Sequence, residues 1–324
     1  MRRRQLILAM ALLLAVPSLV NAQRPRTQQR TQGAQQGQQN VLTISVKGVS
    51  FKMVRVQGGT FTMGGTSEQG SDAFDEEKLT HQVTLSNYYI GETEVTQELW
   101  QAVMGSNPSE FAPKQSDASR CSYDSYVADS KRLNAKKAGT VRIPTRAEWD
   151  AAMVTTNGSL KRPVEQVSWD DCQAFIKKLN QLTGRNFRLP TEAEWEFAAR
   201  GGTKSRHTKY SGGSSIDAVA WYDKNASDKG ESSPDYGTHP VGKKAANELG
   251  LYDMSGNVCE WCSDWAGSDY SSSAQTNPKG PSSGSDRVNR GGSWNDYARY
   301  CRVSFRFSYS PGTRGGSLGL RLAL

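Results

Sequence analysis

The chain has 324 residues, a formal net charge of +8, 36% hydrophobic residues and only 3 histidines. Arginines at positions 2–4, 24, 26 and 30 carry most of that charge, so the rest holds about +2 and gives no reason to invoke nucleic acid. After the N-terminal region no apolar run approaches the length of a membrane helix, and no transmembrane span is expected.

Taken in order, Arg2, Arg3 and Arg4 precede an apolar run over 6–16 and the small residue Ala22, the pattern of a secretory signal peptide over 1–22. The chain is therefore expected to be exported and to act in the periplasm, at the cell surface or outside the cell. Residues 23–40, QRPRTQQRTQGAQQGQQN, hold no aromatic and no aliphatic side chain larger than Ala. Such a segment buries too little surface to offset the entropy of ordering, and reads as a disordered Gln-rich linker.

The remainder, 41–324, is long enough for one large domain. Strand-like stretches at 42–46, 53–56 and 83–85 stand between Gly-Gly and polar turns. Thr96 caps a helix over 97–103, and Ser168 with Asp171 three residues later opens a second that runs through 172–182 to a stop at Gly184. Both helices read as scaffold. VRIPTRAEWDAA at 141–152 echoes FRLPTEAEWEFAA at 187–199: Pro ends a strand, Thr caps a helix, Glu supplies first-turn charge and Trp anchors the helix on the core. The simplest reading makes 112–161 an insertion carrying a second such corner.

The C-terminal stretch, 287–324, alternates two kinds of position. A frame of Gly291, Gly292, Ser293, Trp294, Ala298, Arg299, Cys301, Arg302, Arg306, Pro311, Gly312, Arg314, Gly319 and Arg321 is interrupted by short polar and aromatic runs. The interposed residues are Asn295, Asp296, Tyr297, Tyr300, Phe305, Phe307, Ser308, Tyr309, Ser310, Thr313, Gly315, Gly316 and Ser317. Tyr and Phe offer rigid contact area, and Ser, Gly and Asn adapt their hydrogen bonding, which is the composition of a binding loop. A Gly/Ser-rich loop closing a β-domain is the plainer alternative.

FTMG at 61–64, EVT at 94–96, PVEQVSW at 163–169, RLPTEAEWE at 188–196, GLYDMSGNVCEW at 250–261 and RGGSW at 290–294 occur in that order. The set resembles the formylglycine-generating enzyme (sulfatase-modifying factor) family over nearly all of 41–324 apart from the insertion. The resemblance implies an α+β fold of C-type-lectin-like type, with short strands, a few helices and little regular secondary structure. The family's enzymes oxidise a substrate Cys to formylglycine with two copper-binding cysteines five residues apart after Gly-Gly-Ser. Here Ser293 is followed by Asp296 at the first of those positions and Cys301 at the second. One thiolate with one carboxylate is a poor Cu(I) site, and His81, His207 and His239 are scattered, so no copper is expected. Ser293 and Cys301 remain as remnants of a catalytic set.

The same stretch resembles the variable region of diversity-generating retroelement target proteins, which share this fold. Template adenines are mutagenised there, so Asn codons become codons ending in C. Asp, Tyr, Phe, Ser, Thr and Gly all have such codons; Lys, Glu, Gln, Met and Trp do not, and none of these five occupies an interposed position. The leading expectation is an exported, tethered, non-catalytic and monomeric ligand-binding protein, with a protein or cell-surface ligand on a diversified C-terminal surface. Trp294, Val303, Leu318, Leu320 and Leu322 would be buried anchors, the arginines would pin loop carbonyls and carboxylates, and the aromatics would supply most of the binding energy. The alternatives are a formylglycine-type oxidase working through Cys301 and a structural or secretion-system component with this fold.

Five cysteines in an exported chain suggest disulfides with one left over. Cys262 with Cys301 is the expected pair, Cys121 with Cys259 the second, and Cys172 a buried free thiol. The 253–260 segment resembles the family's calcium loop, which implies the Asp253 and Glu260 side chains and the Gly256 and Val258 carbonyls as ligands. A capped turn in which Asp253 and Asn257 satisfy backbone groups is the alternative there.

Overall fold

A computed structural model describes residues 40–112, 127, 159–267 and 272–324. The expected signal peptide and linker, nearly all of the 112–161 insertion with its echoed corner, and Cys121 lie outside the described residues.

Strands β1 (Val41–Val46) and β2 (Val49–Val56) form an antiparallel hairpin. Its turn, Lys47-Gly48, has positive φ at both residues, the turn whose twist matches that of the flanking strands. β5 (Tyr88–Gly91) adds to β2. A second small sheet runs β3 (Gly59–Met63), β4 (His81–Leu85) and β7 (Gln275–Thr276). The third contains β6 (Cys259–Trp265), β8 (Arg287–Arg290), β9 (Arg306–Tyr309) and β10 (Leu318–Leu320) in the order β10-β6-β8-β9. The stretches at 42–46, 53–56 and 83–85 thus lie in β1, β2 and β4.

Helix α1 (Gln97–Met104) begins at Thr96, whose side chain accepts from Leu99 N, and stops at left-handed Gly105. Helix α2 (Trp169–Thr183) carries a reciprocal cap between Ser168 and Asp171 and stops at left-handed Gly184. Helix α3 (Glu192–Ala199) has the same reciprocal cap between Thr191 and Glu194. Each start satisfies backbone N–H groups the helix itself cannot.

Two main cores result. In one, α1 and α2 pack on β1 and β2, with Trp100 stacked on Phe175 and Leu318, Leu320 and Leu322 inserted from the C-terminus. The other gathers Trp195 and Phe197 of α3 with Val83, Leu85, Val288 and Val303. The C-terminal tail closes the domain: Val95 N donates to Leu320 O at 2.9 Å, and Leu324 pairs with Tyr89. Gly319 allows this approach, because a Cβ there would stand 2.5 Å from Val164 O.

Candidate functional site

After β8 the chain turns at Gly291 and Gly292, with φ of 97° and 66°. A Cβ on Gly292 would stand 2.7 Å from Tyr300 O, so the pair is required by the turn and by the close return of the chain. Trp294 follows, buried, with its Nε1 donating to Gly316 O at 3.0 Å. Phe111 and Tyr236, from outside the segment, meet its ring edge-on. Val303, Leu318, Leu320 and Leu322 are buried as well.

Five of the segment's arginines are held by carboxylates of the body. Arg302 makes two hydrogen bonds to Glu77, at 2.6 and 2.9 Å. Arg306 grips both oxygens of Glu192 at 2.8 and 2.9 Å, and Arg314 both oxygens of Asp171 at 2.7 and 2.9 Å. Arg321 bonds Glu260 through Nε and Nη2. Arg290 meets Glu196 and also donates to Ser304 O at 2.6 Å. Paired, two-pronged contacts of this kind fix orientation as well as position. Burial raises the Glu77 carboxyl, but hydrogen bonds from Arg302 and Ser304 and the Arg302 charge outweigh it and hold the group below its usual range.

None of the thirteen interposed residues is buried. Asn295, Tyr297, Phe307, Tyr309 and Ser310 are exposed; Asp296, Tyr300, Phe305, Ser308, Thr313, Gly315, Gly316 and Ser317 are half-buried. Five aromatics form one chain of ring contacts. Tyr297 meets Tyr300 at 6.2 Å between centroids, Tyr300 meets Phe305 at 4.9 Å, Phe305 meets Phe307 at 6.4 Å, and Phe307 meets Tyr309 at 4.9 Å. Tyr297, Phe307 and Tyr309 are 63%, 48% and 40% exposed, the most exposed aromatics of the described residues. A sixth ring joins from outside the segment: Phe74 stacks parallel to Tyr300 at 5.9 Å and touches Phe305 at 5.6 Å. Two of the segment's arginines make no ion pair among the described residues: Arg299 is exposed and lies over Phe74 at 4.1 Å, and Arg287 lies over the rings of Trp169 and Trp265.

Asp296 turns inward. Its Oδ2 accepts from Ser293 Oγ at 2.6 Å and lies 3.8 Å from Cys259 Sγ, and burial raises its carboxyl above the usual range. Cys301 Sγ is 4.0 Å from Ser293 O and fully buried, and burial pushes its thiol up. Cys259, read above only as a disulfide candidate, adds a second thiol at this spot. Among the described residues no three His, Cys, Asp or Glu side chains gather to hold a metal ion.

One expectation is corrected here. Cys262 and Cys301 do not pair: both are free thiols, Cys262 packed with Val288 and Val303, and Cys301 in a separate cluster with Tyr210, Val219 and Tyr222. Chain spacing could not show that different cores receive them. Cys172 is free and buried, as its place inside α2 suggested.

In the segment that resembles a calcium loop, Asp253 Oδ1 is buried without a hydrogen-bond partner. Glu260 is committed to Arg321 and, at 2.6 Å, to Trp195 Nε1. Asp253 Oδ2 accepts from Gly242 N at 2.7 Å, while Asn257 bonds Glu94 and the His239 backbone. Gly256 and Val258 are tied into the same turn, Gly256 N to Gly291 O and Val258 N to Glu94. Asp253 and Asn257, both at positive φ, each accept a backbone N–H in this turn.

No helix among the described residues is long and apolar enough to cross a membrane. A family model described as sulfatase-modifying factor enzyme 1-like domain matches residues 45–324. The chaperone protein LppX of Paenibacillus barcinonensis is 33% identical over 288 residues, covering 85% of this chain and 89% of the relative. The formylglycine-generating enzyme of Streptomyces coelicolor is 34% identical over 290 residues, covering 83% and 88%. Among solved structures, Treponema denticola variable protein 1 matches with a TM-score of 0.64 at 34% identity, covering 87% of this chain and 98% of that one. The small mixed sheets and few helices are the C-type-lectin-like architecture of these proteins, and the chain belongs to the sulfatase-modifying factor, or formylglycine-generating enzyme, family.

Proposed function

We propose that the chain is an exported, non-catalytic ligand-binding protein whose C-terminal face is diversified at the thirteen interposed positions. The observation that carries this reading is the separation of two roles along one segment. Trp294, Arg302, Val303 and Arg321 are buried and fixed to the body, while every interposed residue keeps access to solvent. Side chains on the open set can change with little effect on folding, and the aromatic row from Tyr297 to Tyr309 offers the residue types that dominate binding hot spots. The likeness to a variable protein over most of both chains supports the same reading. Oxidase chemistry is disfavoured, because Asp296 stands where the enzymes carry a cysteine and Cys301 is buried with a raised thiol. The partner is a protein or a cell-surface ligand.

The test compares a version with all thirteen positions set to Asn with the natural chain, both purified, for binding to a panel of whole cells. A folded Asn version that has lost the natural chain's cell binding supports the proposal. Equal binding by both would assign recognition to another surface.

A further inference from the structure

Five arginines are buried among the described residues, and four of them meet a carboxylate: Arg200, Arg290, Arg302 and Arg321. Arg162 does not. It is 3% exposed, and its one side-chain hydrogen bond among the described residues runs from Nη1 to Thr238 Oγ1 at a long 3.5 Å. Nε is buried without a partner, so the Nε–Nη2 edge of the guanidinium is unengaged. The neighbouring acid, Glu165, attracts the guanidinium by its charge but forms no hydrogen bond with it; its oxygens accept from Glu110 N and Phe111 N at 2.9 and 3.0 Å. A buried cation with no carboxylate bonded to it is costly enough that native structures rarely keep one.

The groups around Arg162 share this condition. His239, next in sequence to Thr238, is 7% exposed, and both of its ring nitrogens lack partners. Its ring stacks flat on Trp221, 3.7 Å between centroids and 3° from parallel, and Trp221 Nε1 is a further buried donor without an acceptor. Lys244 Nζ stands 4.1 Å from the same indole. Burial, together with the charge of Arg162, holds His239 down at about 4. It is therefore neutral at pH 7 and offers one N–H.

The cluster is held rigidly. His239 N donates to Asn257 Oδ1 at 2.9 Å, and Asn257 N donates to Trp221 O at 2.8 Å. It also lies behind the start of the recognition segment, since Trp294 N bonds Asn257 O and Asp223 N bonds Asp296 O.

We propose that Arg162, Thr238, Trp221 and His239 form an internal site for a small planar oxyanion of the carboxylate class. Two coplanar oxygens match the Nε–Nη2 edge of a guanidinium, which a spherical halide cannot do. The indole N–H and the imidazole N–H, both buried and without acceptors, are further donors in the same cluster. Occupancy would stiffen the floor under 294–296 whatever side chains the face displays, so the site stands independently of the recognition proposal.

The experiment is a titration of the full folded chain, labelled with nitrogen-15, with sodium formate and sodium acetate at constant ionic strength. Arginine Nε–H resonances and Tm are both followed, and sodium chloride and sodium phosphate serve as comparisons. The expected result is a saturable shift of one Nε–H resonance, the one missing from R162M, and a rise in Tm of about 5 °C when the anion is near a hundred times its dissociation constant. W221F, which keeps the ring stack and removes one donor, should weaken formate binding about tenfold; it serves also if R162M does not fold. Resonances and Tm that ignore both carboxylates, or respond equally to chloride, would overturn the assignment, as would unchanged formate affinity in W221F.

Discussion

Arg302 and Glu77 are 225 positions apart and form a two-pronged ion pair in which both side chains are withdrawn from water. The pair joins the 287–324 segment to the 66–80 loop. Glu77 also accepts from the backbone N–H of Phe74, so one carboxylate fixes the frame and sets the ring that stacks on Tyr300. Glu77→Ala would leave Arg302 buried without its counter-charge. A loss of about 3–5 kcal/mol is expected, read by urea denaturation, with replacement of both partners by apolar residues recovering much of it.

The division between frame and face predicts different tolerances along the segment. Tyr297→Ser and Ser310→Tyr should each change stability by no more than about 0.5 kcal/mol, whereas Trp294→Ala should cost about 3–5 kcal/mol. Phe305→Ser should fall between, near 1 kcal/mol, because its ring is half-buried against Phe74 and Tyr300. Folding yield across all substitutions at 287–324 would expose the pattern; equal sensitivity of the two sets would contradict it.

The free thiols predict an order of chemical reactivity. In a Cys121→Ser background, Cys259 is half-exposed and should be alkylated first, though slowly, because burial and Asp296 push its thiol up. Cys172, Cys262 and Cys301 should react only on unfolding, since all three are fully buried. Mass spectrometry of partly alkylated native protein gives the order, and early labelling of Cys301 would contradict its position.

Asp264 predicts a pH dependence. Burial and then the nearby Glu192 push its carboxyl from an ordinary 3.8 up to about 7. The folded state therefore binds more protons than the unfolded chain between those values, so this group's contribution to stability falls as pH rises through that window. Asp264→Asn, which can still accept from Glu192 N, should flatten the decline. Denaturation midpoints at pH 4 to pH 8 would test it, and parallel curves for the two proteins would refute the assignment.

Local chemistry explains what was legible in the sequence. The caps at Thr96, Ser168 and Thr191 lie within three residues of the N–H groups they satisfy, and the alternation of frame and interposed residues lies within one segment. The carboxylates that hold the frame were not legible. Glu77, Glu192, Glu196 and Glu260 lie far from their arginines in sequence, and nothing local marks which acid meets which base. Phe74 was missed for the same reason. The Cys262 and Cys301 pairing failed because it rested on residue type, with no knowledge of which core each thiol enters.

Diversification itself is tested most directly by sequencing the DNA flanking the coding region. The account predicts a near-copy of the stretch encoding 287–324 beside a reverse transcriptase, differing only at template adenines that fall in codons for the thirteen interposed residues. Flanking DNA with no such copy, or a copy whose differences fall in the codons for Trp294, Arg302 or Arg321, would contradict it.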